Sequence, residues 1–244
     1  MQDINLLKKA LLNIKYMGWV ESMRNGPTGV GYTLETLLGR KENNLPIADF
    51  NGIELKSIRK YSKQSLHLFC AVPDGDYLYP VPRILSTLGY PDSEDRNIKV
   101  FNMTVNAKRY KSIGYFKKMI LKVDKENKLL RLIAKSYDGQ DIPVNISWSF
   151  DYLEERINNK LQYLCIVEAR NKTIDGKEYF YYSNFNFYKL TSFDNFIFLL
   201  EKGIIGVTFK IGYYKDKEKY GKIHDRGTDF FLSYNDITFL YKKV

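Results

Sequence analysis

The hydrophobic pattern at the start of the chain predicts two helices. Apolar side chains recur at helical spacing over residues 3–17, behind Asp3 as an N-cap, and Gly18 follows as a stop signal. A glycine-rich loop then leads into a second segment with an apolar face, residues 32–38, which carries Glu35 on its flank. We therefore expect an amphipathic helix followed by a shorter one that presents an acidic side chain.

Two short extended segments, residues 47–50 and 53–58, flank the dipeptide Asn51-Gly52. An Asn-Gly pair between extended segments is a strong β-hairpin signal because both residues tolerate positive φ angles. The pattern therefore predicts a tight hairpin at this point.

The second strand of this hairpin alternates apolar and charged residues. A period of two places Ile53 and Leu55 on one face, and Glu54 and Lys56 on the other. Asp49 lies across the tight turn from the charged face. Two carboxylates and one ammonium are therefore expected within a small volume.

The rest of the chain combines further strands with two helices. Helices are predicted over residues 148–161 and 196–200, the second behind a capping box formed by Thr191 and Asp194. A turn at residues 175–176 precedes an aromatic segment, residues 179–188. The predicted strands cover residues 65–72, 98–105, 115–123, 129–133, 163–167, 207–212, 229–234 and 237–241. This mixture indicates a mixed α/β or α+β fold.

The charge balance adds a first indication of function. The 244 residues include 38 Lys and Arg against 28 Asp and Glu, which gives a formal net charge of +10. Such a surplus favours a polyanionic partner, although lysine-rich surfaces also occur in proteins that bind no nucleic acid. With 44% hydrophobic residues the chain can form a substantial core, which excludes a disordered protein. No linker or repeat divides it, so we expect one compact unit.

The cysteines and the apolar runs predict a cytoplasmic protein. Cys70 and Cys165 each lie inside an apolar run, and neither belongs to a CxxC pair. This argues against a zinc ribbon or dithiol chemistry and fits a reducing compartment. The first 15 residues interleave charges with leucines, unlike a signal peptide, and no apolar run approaches the length of a membrane span.

Asp49, Glu54 and Lys56 form the constellation with the clearest chemistry. Carboxylate oxygens at this spacing suit Mg²⁺, which takes one or two carboxylates and completes its shell with water and phosphate oxygens. A neighbouring lysine can orient or deprotonate the attacking water and offset charge on the phosphate. Glu35 can supply a third carboxylate. These parts are sufficient for metal-assisted phosphodiester hydrolysis.

The simpler alternative is a solvent-facing Glu-Lys pair on a strand, with an aspartate at an ordinary turn. The spacing Asp-x4-Glu-x-Lys is short enough to recur by chance. Its position on a predicted hairpin, behind a helix with a spare glutamate and in a basic protein, favours the nuclease interpretation.

Several ordered segments resemble one nuclease family. TGVGYTLETLLG followed by ADFNGIELKS resembles the PD-(D/E)xK nucleases, specifically the MvaI/BcnI type II restriction endonucleases, with a more distant likeness to the MutH mismatch-repair nickase. WSFDYLEERINNKLQYL, FKIGYYK and GKIHDRGTDF are similar to later segments of that family. The proline that usually precedes the aspartate is replaced by Ala48, which leaves the catalytic set intact.

The resemblance implies a catalytic set of Glu35, Asp49, Glu54 and Lys56, with Mg²⁺ bound by Asp49 and Glu54. The implied reaction is in-line attack of water on double-stranded DNA at a short G/C-rich pseudopalindromic site, which leaves a 5′-phosphate and a 3′-hydroxyl. The implied fold is a restriction-endonuclease core with a mixed sheet flanked by helices, plus a β-rich DNA-recognition lobe.

The resemblance also implies an organisation and partners. We expect a catalytic lobe from residues 1–95 with 146–188 and a recognition lobe from residues 96–145 with 189–244. The protein should act as a monomer on double-stranded DNA, alongside a cognate DNA methyltransferase. Two alternatives stay open: a MutH-like repair nickase that depends on partner proteins, and a DNA-binding module with a vestigial nuclease site.

Basic side chains near the C-terminus are candidates for reading DNA. Residues 210–226 contain six Lys or Arg and three Asp or Glu, interleaved with tyrosines. Arg and Lys can recognise guanine, Asp can accept from cytosine, and Tyr can contact phosphates. The predicted DNA-binding residues are Lys210, Tyr213, Lys222, His224, Asp225 and Arg226. A solvated lysine-rich hairpin is the alternative.

A second basic run and the other histidine are less informative. Lys108, Arg109, Lys111, Lys117 and Lys118 can position phosphates or belong to an ordinary solvated loop. His67 lies in an alternating strand, where it is structural or faces a phosphate. With two histidines in the chain and no acidic or Cys partner at ligand spacing, a zinc site is not expected.

Overall fold

The computed structural model describes residues 2–39, 49–61, 65–75, 80–113 and 117–244. Its helices are α1 (Gln2–Tyr16), α2 (Gly29–Leu37), α3 (Pro80–Leu88), α4 (Phe150–Lys160), α5 (Phe193–Glu201) and α6 (Ile237–Leu240), with a 3₁₀ turn at Tyr234–Asp236. Its strands are β1 (Val20–Glu21), β2 (Ile53–Arg59), β3 (Ser65–Cys70), β4 (Tyr90–Pro91), β5 (Lys99–Val105), β6 (Lys111–Ile113), β7 (Lys117–Asp124), β8 (Leu129–Ser136), β9 (Asp141–Ser149), β10 (Tyr163–Ile174), β11 (Lys177–Leu190), β12 (Gly206–Tyr213), β13 (Ile223–Ser233) and β14 (Tyr241–Lys243). The mixed α+β class expected from the sequence is confirmed.

The chain forms two compact units. The first comprises the described parts of Met1–Gln64, Ile157–Thr191 and Thr238–Val244. The second comprises those of Ser65–Arg156 and Ser192–Ile237. These boundaries differ from the expected lobes. Residues 65–75 and 80–95 belong to the second unit, in which β3 pairs with β13, and residues 238–244 belong to the first, in which β14 pairs with β11.

The first unit is built on a mixed sheet with the order β1-β11-β10-β2, and β14 also pairs with β11. β10 and β11 form a long antiparallel hairpin, whereas β10 and β2 run parallel, with Tyr163 opposite Ile53. The parallel register brings the N-terminal ends of β2 and β10 to the same edge of the sheet.

The apolar faces predicted from the sequence form the core of this unit. The buried residues from α1, α2 and β2 are Leu7, Leu11, Ile14, Val30, Leu34, Ile53 and Leu55. They pack with Cys165, Val167 and Ala169 of β10 and with Phe180, Tyr182 and Phe187 of β11. Burial of this apolar surface is the main stabilising contribution to the unit.

The predicted Asn-Gly turn connects Asp49 to β2. Asn51 and Gly52 have φ angles of 46° and 84°, and Phe50 and Ile53 exchange two backbone hydrogen bonds of 2.9 Å across them. Both turn residues therefore occupy the left-handed region that the sequence predicted. The rest of the predicted first strand, including Ala48, lies outside the described residues.

The second unit contains two antiparallel sheets, ordered β3-β13-β12-β5-β4 and β6-β7-β8-β9. Aromatic side chains fill the core beneath the first sheet. Phe69 stacks on Phe230 at 4.8 Å, and Trp148 meets Phe230 edge-on at 5.7 Å. The indole Nε1 of Trp148 donates a 2.9 Å hydrogen bond to the carbonyl of Ala71, which satisfies its buried polar atom.

Two local expectations near the end of the chain are wrong. Residues 237–241 were expected to form a strand, but Ile237–Leu240 is helical because Ile237 and Leu240, at helical spacing, are the buried positions. Thr191 does not cap α5, because its hydroxyl donates to the carbonyl of Leu240. Ser192 is the N-cap, and its side chain accepts from the backbone N–H of Asn195.

None of the helices in the described part of the chain is both long enough and apolar enough to cross a membrane.

The turn before β2 offers a test of the backbone argument. A Cβ at Gly52 would meet no atom within 4 Å, so the cost of Gly52→Ala comes from its φ of 84°. We expect Gly52→Ala to lower the free energy of unfolding by about 1–2 kcal/mol. Gly52→Asn should lower it less, because Asn tolerates the left-handed region. Urea unfolding of both variants measures this, and equal losses would contradict the explanation.

Candidate active site

Strand β2 carries an ion pair between the buried Glu54 and the partly exposed Lys56 on the face opposite its core residues. The side chain of Glu54 is 1% exposed, and its Oε1 lies 2.5 Å from Nζ of Lys56. An ionised carboxylate is costly to bury unless it is paired. The alternative of a solvent-facing Glu-Lys pair is therefore excluded, and the burial of Glu54 indicates a constrained site.

Asp49 is held beside this pair by the backbone of the same strand. The N–H of Leu55 donates a 2.9 Å hydrogen bond to Asp49 Oδ2, which fixes the carboxylate across the turn from Glu54. The four residues expected in the catalytic set line one open cavity. Its lining includes Glu35, Asp49, Glu54 and Lys56, together with Arg24, Tyr32, Ser57 and Lys160.

Glu35 reaches this cavity because α2 approaches β2 closely at a glycine. A Cβ built on Gly31 would lie 3.4 Å from Ser57 Oγ on β2 and 3.9 Å from Glu35 Oε1. The small residue one turn before Glu35 therefore allows the helix to pass close to the strand. This places the third predicted carboxylate near Lys56, whose pKa it helps to raise.

Burial is the largest influence on the pKa of both members of the ion pair. It raises the pKa of the Glu54 carboxyl; Asp49 adds to the rise, while Lys56 and Lys160 oppose it. Burial alone would lower the pKa of Lys56, but the charge of Glu54, with those of Asp49 and Glu35, outweighs it and the net pKa is raised. Lys56 is therefore a charged ammonium at neutral pH.

The carboxylates fit a divalent cation. Glu54 Oε2 is buried and has no hydrogen-bond partner among the described residues. Buried polar atoms are rarely left unpaired, so this oxygen is available to accept an interaction that the described residues do not supply. Among the described residues no group of three or more Asp, Glu, His or Cys side chains has the geometry of a metal site. Mg²⁺ needs one or two carboxylates from a protein, which Asp49 and Glu54 can provide.

Comparison with known proteins identifies the family of the chain. The model of the MvaI/BcnI restriction endonuclease family matches residues 8–241. The chain belongs to this family. The resemblance seen in the sequence is therefore confirmed.

Solved structures agree with this assignment. The chain is similar to the restriction endonuclease MvaI in complex with its cognate DNA substrate, with 29% identity and a TM-score of 0.90, over 100% of this chain and 98% of the other. It is also similar to MvaI in the absence of DNA, with 28% identity and a TM-score of 0.66, over 100% and 97% of the two chains. No curated protein sequence matches the chain.

The residues predicted to read DNA lie on β12, on β13 and, for Lys222, in the turn between them, all in the second unit. The two strands pair so that Gly212 faces His224 and Ile211 faces Asp225. One small cavity there is lined by Lys210, Tyr213, His224 and Arg226, among others. The structure therefore brings most of the predicted set together.

The remaining contacts of this set are local. The His224 ring stacks on Tyr214 at 4.0 Å with an interplanar angle of 8°. Asp225 Oδ1 accepts a 2.9 Å hydrogen bond from the backbone N–H of Gly227. Lys222 is exposed, and its carbonyl accepts from the N–H of Tyr214 to close the β12–β13 turn. In this predicted set, Lys222 and Arg226 are exposed, and the other four residues are half-buried.

Asp229 was missed by the sequence analysis and organises the polar face of this sheet. The residue is 6% exposed. Its carboxylate accepts from the ammonium of Lys210 and from Cys70 Sγ at 2.7 Å, and lies 3.4 Å from His67 Nδ1. Burial opposes ionisation, but the hydrogen bonds from His67, Cys70 and Lys210 hold the pKa of Asp229 well below its usual range. His67 is thus a partner of this carboxylate.

The basic residues between Lys108 and Lys118 differ in how far their side chains are held by other parts of the unit. Lys117 donates to the carbonyl of Thr87, and partial burial, together with the charge of Lys99, lowers its pKa. Lys108 and Arg109 follow Asn106, whose side chain accepts from both of their backbone N–H groups. Lys117 is therefore committed to a contact inside the unit, which makes it a poor candidate for a phosphate contact.

Proposed function

We propose that the protein is a Mg²⁺-dependent type II restriction endonuclease that hydrolyses double-stranded DNA at a short G/C-rich pseudopalindromic site. Family membership supports endonuclease activity, and the similarity to MvaI with its cognate DNA supports a duplex substrate. We infer that cleavage leaves a 5′-phosphate and a 3′-hydroxyl. In this reaction water adds to phosphorus as the bond to the 3′-oxygen breaks.

The observation that carries this proposal is the environment of Glu54. Its carboxylate is buried and bound by Lys56 through Oε1, it has an unpaired Oε2, and a second carboxylate is fixed nearby at Asp49. A carboxylate with only a structural role gains nothing from an unpaired buried oxygen. A cation-binding role explains both the burial and the unpaired atom.

Each residue of the site has a role in the proposed reaction. Asp49 and Glu54 would hold Mg²⁺, with Glu35 as an additional acidic group at the cavity wall. The bound ion supplies Lewis-acid polarisation of the phosphate and activation of a water molecule. The Lys56 ammonium orients the attacking water and offsets negative charge that develops on the phosphate oxygens.

Sequence recognition is assigned to the second unit. We propose that Lys210, Tyr213, Lys222, His224, Asp225 and Arg226 contact the DNA, with Arg226 at a guanine edge and Asp225 at a cytosine. This set supplies both donors and an acceptor, as a G/C-rich site requires. The exposure of Arg226 supports the assignment, because its guanidinium is accessible to a ligand.

We further propose that the first unit is the catalytic lobe and the second the recognition lobe, and that the protein acts as a cytoplasmic monomer beside a cognate DNA methyltransferase. A MutH-like nickase is the second candidate, because one set of Asp49, Glu54 and Lys56 can cut one strand in each binding event. A DNA-binding module with a vestigial site is disfavoured because Asp49, Glu54 and Lys56 are all present and share one cavity.

The catalytic assignment predicts separate effects on cleavage and binding. Lys56→Ala or Asp49→Ala should slow plasmid cleavage in Mg²⁺ by at least about a hundredfold. Binding to the same DNA in Ca²⁺ should persist, because phosphate and base contacts elsewhere supply most of the affinity. Lys189→Ala, at an exposed lysine on β11, is the matched control. Near wild-type cleavage by the Lys56 variant would refute the assignment.

The recognition assignment predicts different effects for two kinds of basic residue. Arg226→Ala should weaken specific binding by about 1–3 kcal/mol and reduce discrimination between sites. Lys217→Ala or Lys219→Ala, at exposed positions of the same hairpin, should weaken binding to specific and non-specific DNA alike. Each should also lower the salt dependence of that binding. Fluorescence titrations with specific and non-specific duplexes measure both quantities. An equal loss on the two duplexes for Arg226→Ala would assign this residue to phosphate contact.

A monomer with one catalytic set should cut one strand in each binding event. We expect nicked circles to accumulate transiently when supercoiled plasmid is digested, before linear product appears. An agarose-gel time course measures this, and sedimentation of the DNA complex reports its stoichiometry. A stable complex of two proteins per duplex, with linear DNA formed directly, would favour a dimeric enzyme.

A further inference from the structure

Two lysines, not one, share the buried carboxylate of the first unit. Glu54 Oε1 lies 2.5 Å from Lys56 Nζ and 3.5 Å from Lys160 Nζ. The side chain of Lys160 is 22% exposed and lines the same cavity as Asp49 and Lys56. The cavity therefore contains a cation beyond the lysine of the Asp-x4-Glu-x-Lys pattern.

Helix α4 and the start of strand β10 place Lys160 at this cavity. Lys160 is the last residue of α4, three positions before Tyr163 begins β10. Its neighbours Ile157 and Leu161 are 0% and 1% exposed, and a 2.7 Å hydrogen bond joins their backbones. Because β10 runs parallel to β2, Lys160 and Asp49 reach the cavity at the same end of the two strands.

The need to balance the charge of Glu54 does not explain why a second lysine is present. Lys56 Nζ already lies 2.5 Å from Glu54 Oε1, whereas Lys160 Nζ lies 3.5 Å from the same oxygen. Charge-assisted N–H···O bonds are about 2.7–2.9 Å long, so the Lys160 contact is a loose one. An ammonium has three N–H donors and can bind a further acceptor without moving far.

The ligand of the cavity supplies such an acceptor. Three carboxylates, those of Glu35, Asp49 and Glu54, line the cavity together with the cations Arg24, Lys56 and Lys160. A phosphodiester anion that enters beside these carboxylates needs positive charge close to its oxygens. Lys56 is held closely by Glu54, whereas Lys160 is the more loosely held cation. We propose that Lys160 binds a non-bridging oxygen of the scissile phosphate and offsets the charge that builds up there during hydrolysis. This inference rests on the proposed endonuclease function.

The test removes the charge from each partner in turn. Wild-type enzyme and Lys160→Gln are titrated in Ca²⁺ with two duplexes that contain the site mapped from the cut ends. One duplex has the natural scissile phosphate and the other an uncharged methylphosphonate at that position. Lys160→Gln should weaken binding of the natural duplex about tenfold and should leave binding of the methylphosphonate duplex nearly unchanged.

Two further variants make the result specific. Lys160→Arg should restore most of the affinity for the natural duplex, because it keeps the charge. Lys15→Gln, which removes a half-buried lysine from the last turn of α1 in the same unit, should affect neither duplex. Thermal unfolding of each variant checks that it is folded. If Lys160→Gln is unfolded, the affinities of Lys160→Arg and wild type for the two duplexes are compared instead.

The outcomes separate this inference from the function on which it rests. Equal weakening of both duplexes by Lys160→Gln, or no weakening of either, would overturn the phosphate contact. A wild-type protein that cuts no DNA in Mg²⁺ would overturn the proposed function itself. If the wild-type protein cuts DNA but Lys160→Gln weakens the natural and the methylphosphonate duplex by the same factor, only the role of Lys160 is refuted.

Discussion

The burial of the Glu54 carboxylate is the constraint on which the first unit depends. Removing an ionised carboxylate from water costs several kcal/mol unless partners replace the lost hydration. The neighbours of Glu54 along β2 are core residues, since Ile53 is 2% and Leu55 is 5% exposed. The packing that buries them also fixes the position of the carboxylate. The same packing therefore forms the core and positions the carboxylate in this part of the chain.

The same constraint explains why the surroundings of Glu54 are so polar. Two ammonium groups approach one of its oxygens, and Asp49 is tied to the backbone of the strand. Tyr241 lies near enough that the charge of Glu54 adds to the effect of burial in raising the tyrosine pKa. The carboxylate is therefore surrounded by groups that the fold holds in place, which is the preorganisation that hydrolysis of a phosphodiester requires.

The second unit solves a similar problem with Asp229. Its neighbour Phe230 is 0% exposed, so the strand that carries the carboxylate is again anchored by core packing. Lys210, Cys70 and His67 surround the carboxylate and satisfy its oxygens. Because Lys210 is bound in this way, its ammonium has a defined position on the polar face of the sheet. A fixed donor discriminates between ligands better than a freely rotating one.

Local sequence patterns predicted those parts of the site that lie close together in the chain. The Asn51-Gly52 turn and the alternation along β2 were enough to bring Asp49, Glu54 and Lys56 together. Lys160 could not be found in this way, because its contact with Glu54 depends on the parallel pairing of two strands that are about a hundred residues apart in sequence. Asp229 was missed for the same reason, since its partners come from β3 and β12.

Helix α6 forms from residues whose composition favours a strand. Apolar and aromatic residues in ITFLY favour a strand by composition. In the structure the carbonyl of Leu240 accepts hydrogen bonds from both the backbone N–H and the hydroxyl of Thr191, and Ile237 and Leu240 are buried one helical turn apart. The tertiary contacts of a four-residue segment therefore override its intrinsic preference, as is usual for short elements.

The division of residues between the units has a consequence for how specificity can change. Glu35, Asp49, Glu54 and Lys56 belong to the first unit, and the residues assigned to base reading belong to the second. Each unit has its own buried core, so a substitution on the β12–β13 hairpin can change the polar surface there without disturbing the packing that holds Glu54. The chain retains the whole MvaI fold at 29% identity. Conservation of the fold is therefore compatible with different side chains on the β12–β13 hairpin.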